Sequence, residues 1–252
     1  MIMRKLDIYS LLFLCLFATC NISCESEKSE TKNDVQDDFS DDLNHSIEID
    51  TIDDNYVFMP PSPIQIASIL NKANMKYEEG LANNISNAKL YSTKFKQSIN
   101  FGVYACDLAY CVTNDKYEEA SKYLKVSKDL AAKIGMESIF LSDNLVARFE
   151  ANVGNQDSIM SILFHVQMLT DDYIYDNDLT DLSVIYFTGA WVEGMNIGTH
   201  TMLGNDDHKI SVLLSEQMTI ARSIIRGLRA VKSQSEDLVD LTDHIEEVVN
   251  AY

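Results

Sequence analysis

Proline is nearly absent. The 252-residue chain has three, Pro60, Pro61 and Pro63, all within four positions. None occurs in the 189 residues that follow, so no ring there breaks a helical hydrogen-bond ladder from inside. Strand signals are missing as well. No alternating apolar pattern of useful length is present, and no Asn-Gly or Asp-Gly hairpin turn. Basic residues are few: Lys and Arg number 20 against 39 Asp and Glu, a formal net charge of −19. That balance excludes a nucleic-acid binder, which needs cations for phosphate. Apolar runs are short, too. Residues 8–19 form the N-terminal apolar stretch of 12, against the roughly 20 needed to span a bilayer.

The five cysteines supply no disulfide framework. Cys15, Cys20 and Cys24 crowd the N-terminus, while Cys106 and Cys111 fall in one predicted helix. Five positions on a helix turn about 140°, so those two thiols face apart, and bridging them would strain it. Both are expected as buried, small apolar side chains.

What is present begins with an address. A basic start (Arg4, Lys5), the short apolar stretch and small residues after it describe a secretory signal peptide. Leu16-Phe17-Ala18-Thr19-Cys20 looks like a bacterial lipobox, with Phe17 and Thr19 departing from the usual residues. Cys20 is therefore the expected lipidation site and Cys24, after Asn21-Ile22-Ser23, the alternative. Acyl chains on one cysteine anchor stably, each buried methylene contributing about 0.8 kcal/mol. Residues 25–54 then carry 12 acids and two lysines, about half of the excess negative charge. Sparse in apolar groups, residues 20–57 are expected to be an acidic, disordered tether. No Asp-x-Asp-x-Asp-Gly loop is there to suggest calcium. Glu25-Ser26-Glu27-Lys28 resembles the acidic export signals of Bacteroidota surface lipoproteins, which implies an outer-membrane location.

From position 58 to 252 the chain reads as a single all-α domain, and its 46% apolar content can fill a core. Ser62, Pro63 and Gln65 make a helix start. Tyr117, Ala120, Leu124, Ser127, Ala131 and Ile134 step by threes and fours between an Asp115…Glu118 capping box and Gly135. Leu238, Leu241, Ile245, Val248 and Tyr252 do the same after Ser233…Glu236. Nine helices are predicted, near 63–76, 86–99, 101–113, 116–134, 138–152, 156–175, 180–203, 208–231 and 235–250. The 208–231 helix is expected to be buried on most sides. Short polar connections imply an antiparallel bundle. Residues 102–134 have the length of one tetratricopeptide-like helix pair, but no second copy follows at a 34-residue step, so no repeat array is expected.

Catalytic motifs are missing: no Gly-x-Ser-x-Gly, His-Glu-x-x-His, phosphate loop or Cys-x-x-Cys. No catalytic residue, cofactor site or metal site is assigned. The 180–203 helix stands out all the same. Glu193, Asn196 and His200 share one of its faces, and Asp171 and Asp172 could lie opposite. Two Glu-x-x-His pairs would be needed for a di-iron bundle, and none exists. Gly189, Gly194 and Gly198 each cost up to ~1 kcal/mol in a helix interior, so they imply close packing against a neighbour such as 208–231. The other reading is a ligand pocket lined by Trp191, Glu193, Tyr186 and His200. Phe101, Tyr104, Tyr110, Tyr117 and Tyr123 are expected in the core, with hydroxyls at the surface.

Four stretches resemble an uncharacterised family of Bacteroidota lipoproteins: residues 60–67, 76–81, 100–111 and 189–193. The resemblance covers about residues 58–250. It implies an envelope location and an all-helical fold, and it brings no activity. The expectation is an outer-membrane or surface lipoprotein held by its lipid anchor and acting as a binding or protein-interaction module, with another envelope protein as partner. The alternative is a small-molecule binder or accessory enzyme with a pocket near residues 189–198.

Overall fold

The computed structural model describes residues 76–141, 144–202 and 208–251, with Gln65. The expected signal stretch, Cys20, Cys24, the acidic segment and, Gln65 and Lys76 apart, the helix expected at 63–76 lie outside the described residues. All the long described segments belong to one compact unit. Among them are one 3₁₀ helix, Ile85–Leu90, and eight α-helices, with no strand. The α-helices are α1 (Lys94–Thr113), α2 (Tyr117–Ile134), α3 (Glu137–Leu141), α4 (Leu145–Ala151), α5 (Gln156–Asp176), α6 (Thr180–Met202), α7 (His208–Ala230) and α8 (Glu236–Ala251). The all-α bundle is as the periodicity requires.

Local signals explain the ends. Thr93 caps α1 by accepting the Lys96 N–H at 3.2 Å, and Asn155 caps α5 by accepting that of Ser158 at 3.1 Å. Gly135 ends α2 with φ +93°, the left-handed cap that glycine makes without strain. Several details differ from expectation. The helices expected at 86–99 and 101–113 resolve differently: a 3₁₀ turn, a break at residues 91–93, then one continuous α1. The expected 138–152 helix is split, because Asn144 turns at φ +49° between α3 and α4. The Asp115…Glu118 box does not form. Asp115 stands at φ +59° and accepts a hydrogen bond from Tyr117 Oη at 2.8 Å. Ser235, not Ser233, caps α8.

Two apolar clusters meet at α1 and α6. On one side α2 to α5 pack through Leu124, Leu130, Phe140, Phe149 and Ile159. On the other, α7 and α8 pack through Ala221, Ile224, Leu228, Leu238 and Ile245. Helix α1 serves both, with Phe101 and Tyr104 in the first and Cys106 and Tyr110 in the second. Such a helix must be apolar nearly all round. Helix α7, expected to be buried on most sides, buries Met218, Ala221, Ile224, Ile225 and Leu228 while Arg222, Arg226 and Arg229 are exposed.

The central crossing is made by glycines. A Cβ on Gly102 would stand 1.8 Å from Tyr186 O, and one on Gly189 would stand 1.9 Å from Ile99 O. The neighbour that Gly189 accommodates is thus α1, not the 208–231 helix. Each helix carries its glycine where the other's carbonyl arrives.

Candidate functional site

Helix α1 runs Val103-Tyr-Ala-Cys-Asp-Leu-Ala-Tyr-Cys-Val112, an apolar stretch interrupted once, by Asp107. Helical spacing turns Asp107 inward, where it is 0% exposed. Glu193, 7% exposed, comes within hydrogen-bonding reach of the Asp107 carboxyl from α6. The acid that faces Glu193 is therefore Asp107, not Asp171 or Asp172. Those two are exposed on α5, where Asp171 accepts from Gln167 Nε2 at 2.8 Å.

The partners of the two carboxyls are unequal. Asp107 Oδ2 accepts the backbone N–H of Asn83 at 3.2 Å, while Oδ1 has no hydrogen-bond partner among the described residues. Glu193 Oε1 accepts from Asn196 Nδ2 at 3.2 Å. Burial, then the charge of Glu193, push the Asp107 carboxyl well above the ordinary 3.8. Burial also raises Glu193, against the lowering pull of Asn196, Asp107 and His200. The neighbouring Cys106 thiol is driven up by burial, with Asp107 and Glu193 adding to it. It is not a reactive thiol, because reactivity needs the thiolate. Cys106 and Cys111 are both free and buried, as the helix geometry implies.

Above this pair lies the segment 76–84, fastened by phenols. Tyr104 Oη donates to Asn84 O at 2.9 Å and Tyr123 Oη to Asn83 O at 3.0 Å. Tyr110 Oη donates to Lys76 O at 3.1 Å and accepts the Glu78 N–H at 2.9 Å. Tyr77 stacks on Tyr110, ring centroids 5.5 Å apart. Phe101, Tyr104, Tyr110 and Tyr123 are core, as expected, while Tyr117 is half-buried at the rim with its hydroxyl at the surface; the hydroxyls of Tyr104, Tyr110 and Tyr123 reach backbone of the segment instead. Long-range side-chain to backbone bonds of this kind are invisible in a one-dimensional reading.

Of the four residues expected around a pocket, Glu193 and His200 act on each other, while Trp191 and Tyr186 lie in different apolar clusters. Trp191 is buried between α6 and the α7–α8 side, and its Nε1–H has no partner among the described residues. Tyr186 faces the other cluster and donates to Gln167 Oε1 at 3.1 Å. His200 is exposed, with Nδ1 3.0 Å from Asn196 O on its own helix. A cavity of about 40 Å³ lies between α1, α2, α3, α5 and α6, lined by Phe101, Leu124, Ser127, Phe140, Gln167 and Tyr186 among others. It holds a few waters at most, far less than the 300 Å³ or so of a metabolite site. Among the described residues no three His, Cys, Asp or Glu side chains converge on a metal position, and no helix is long and apolar enough to cross a membrane.

The fold and site define a helical-bundle protein with a buried acid pair at its central crossing. Comparison with family models, characterised proteins and solved structures gives no match.

Proposed function

We propose that the chain is a lipid-anchored lipoprotein of the cell envelope, at the outer membrane or cell surface, whose helical domain is a protein-interaction module. The lipobox-like Cys20, the acidic stretch after it and the resemblance to Bacteroidota lipoproteins support the location. The observation that carries the module reading is on α5: Met168 is 46% and Tyr175 87% exposed. Seven positions apart on one helix, they share an outward stripe. Tyrosine and methionine are enriched at protein interfaces.

The test uses the natively expressed, full-length protein. Cys20→Ser should move it from the membrane to the soluble fraction and remove the acyl mass. Unchanged fractionation would shift the anchor to Cys24 or end the lipid reading. A photo-crosslinker at position 175 should give one discrete adduct with an envelope protein that Met168→Asp abolishes. No adduct there, or one indifferent to Met168, would count against the module.

A second reading, a small-molecule binder at α6, is favoured by one observation, the buried Trp191 Nε1–H, which has no partner among the described residues. Trp191 is the chain's single tryptophan, so its emission reports on this position alone. On that reading a hydrogen-bond-accepting ligand shifts the emission saturably and raises the melting temperature. A screen of small carboxylates, sugars and amides without any such shift would dismiss it.

A further inference from the structure

We propose that Asp107 and Glu193 form a one-proton latch that fastens residues 76–84 to the helical body. Asp107 Oδ2 is committed as acceptor to the Asn83 N–H, and Glu193 Oε1 to Asn196. The atom left to carry a proton is Asp107 Oδ1, which is buried and has no other partner among the described residues. With a proton there, Asp107 is a neutral donor facing the Glu193 carboxylate, and Asn83 keeps its acceptor. Two like charges in a dry crossing repel strongly at low effective dielectric, so one proton is retained between them.

Among the described residues no lysine or arginine acts on the pair. The titratable groups linked to it are Cys106, Tyr104, Tyr110 and Cys111 of α1 and Tyr123 of α2, all raised by Asp107, and His200 of α6, which acts on Glu193. Burial raises the phenols and thiols, so they remain neutral while the acids titrate. His200, on the exposed end, favours the charge on Glu193 only. Loss of the shared proton leaves two carboxylates that must reach water. Asp107 lies beneath Asn83, in a segment whose other residues are exposed or half-buried, so hydration means lifting that segment. The tyrosine bonds limit the opening to the neighbourhood of Asn83. Alkaline conditions loosen this strap and acid tightens it. The strap directly precedes the 3₁₀ turn and α1, at the end of the domain that leads back towards Cys20.

The test is amide hydrogen exchange of the full chain, corrected for the intrinsic pH dependence of exchange. As the pH is raised above the ordinary carboxylate range, the protection of the Asn83 amide should fall about tenfold relative to that of Leu163 in α5. Asp107→Asn keeps an oxygen for the Asn83 N–H but cannot ionise, so it should remove the slope. Glu193→Gln, which leaves only one acid, should reduce it. A flat wild-type profile overturns the latch, as does an undiminished slope in Asp107→Asn. If neither variant folds, the wild-type profile at Asn83 against Leu163 decides alone.

Discussion

Gly102→Ala and Gly189→Ala should each destabilise the domain by about 3 kcal/mol or more, lowering the melting temperature by roughly 6–12 °C for a domain of this size. The cause is that the added methyl meets backbone. At Gly102 the Cβ would lie 1.8 Å from Tyr186 O and 2.9 Å from Ala190 N, and at Gly189 1.9 Å from Ile99 O. No side chain can rotate away, so α1 and α6 must separate, and both apolar clusters hang on that pair. Gly135→Ala makes the control. Its φ is +93° but nothing lies within 4 Å of the added Cβ, so only the left-handed conformation is penalised, at about 1 kcal/mol. Circular dichroism melts of the three variants check the order. Melting of Gly102→Ala or Gly189→Ala within 2 °C of wild type would mean that the two helices do not cross there.

Asp107→Asn should do the opposite at neutral pH and raise the melting temperature. The folded state holds the Asp107 carboxyl well above 3.8, by burial first and the charge of Glu193 second. Over the interval between 3.8 and the folded value, the native protein keeps a proton that the unfolded chain has lost. The stabilisation is complete below 3.8 and is lost as the pH rises through the folded value. Glu193, raised from 4.5 by burial, acts in the same direction. Wild-type protein should therefore melt lower at pH 8 than at pH 5. Each unit of altered affinity corresponds to 1.36 kcal/mol, and 1 kcal/mol to about 2–4 °C here. Asp107→Asn is isosteric, has no charge to bury, and can still accept from Asn83. At pH 7.5 it should melt about 3 °C or more above wild type, with a flatter pH profile. A variant that melts lower at pH 7.5 would show that the ionised pair is an asset to the fold, and the repulsion argument would fail.

Perturbed buried carboxyls cluster at functional sites, and a buried acid pair is expected to cost stability at neutral pH while adding nothing to packing. The proton-dependent strap gives this pair a use.

The all-α class was determined by the sequence alone. Absence of proline after Pro63, threefold and fourfold apolar spacing in α2 and α8, and Gly135 at the end of α2 are local properties, and helix hydrogen bonds are local too. Burial of Cys106 and Cys111 followed equally from the apolar stretch around them. Asp107 left a trace as the one acid in that stretch, and Glu193 as the one acid between Gly189 and Gly198. Their meeting left none, because 86 positions separate them and nothing in a helical period says which helix faces which. The same is true of Gly102 and Gly189: a glycine announces that something comes close, while only the packed structure shows that α1 comes close to α6. Three tyrosine hydroxyls reach 20 to 40 positions along the chain to backbone oxygens of a non-helical segment. Periodicity carries no information about such bonds, since they satisfy a strap that has no period. The sequence decides what each helix is. Tertiary contact decides where two acids share one proton, because that depends on the distance between elements and on the water it excludes.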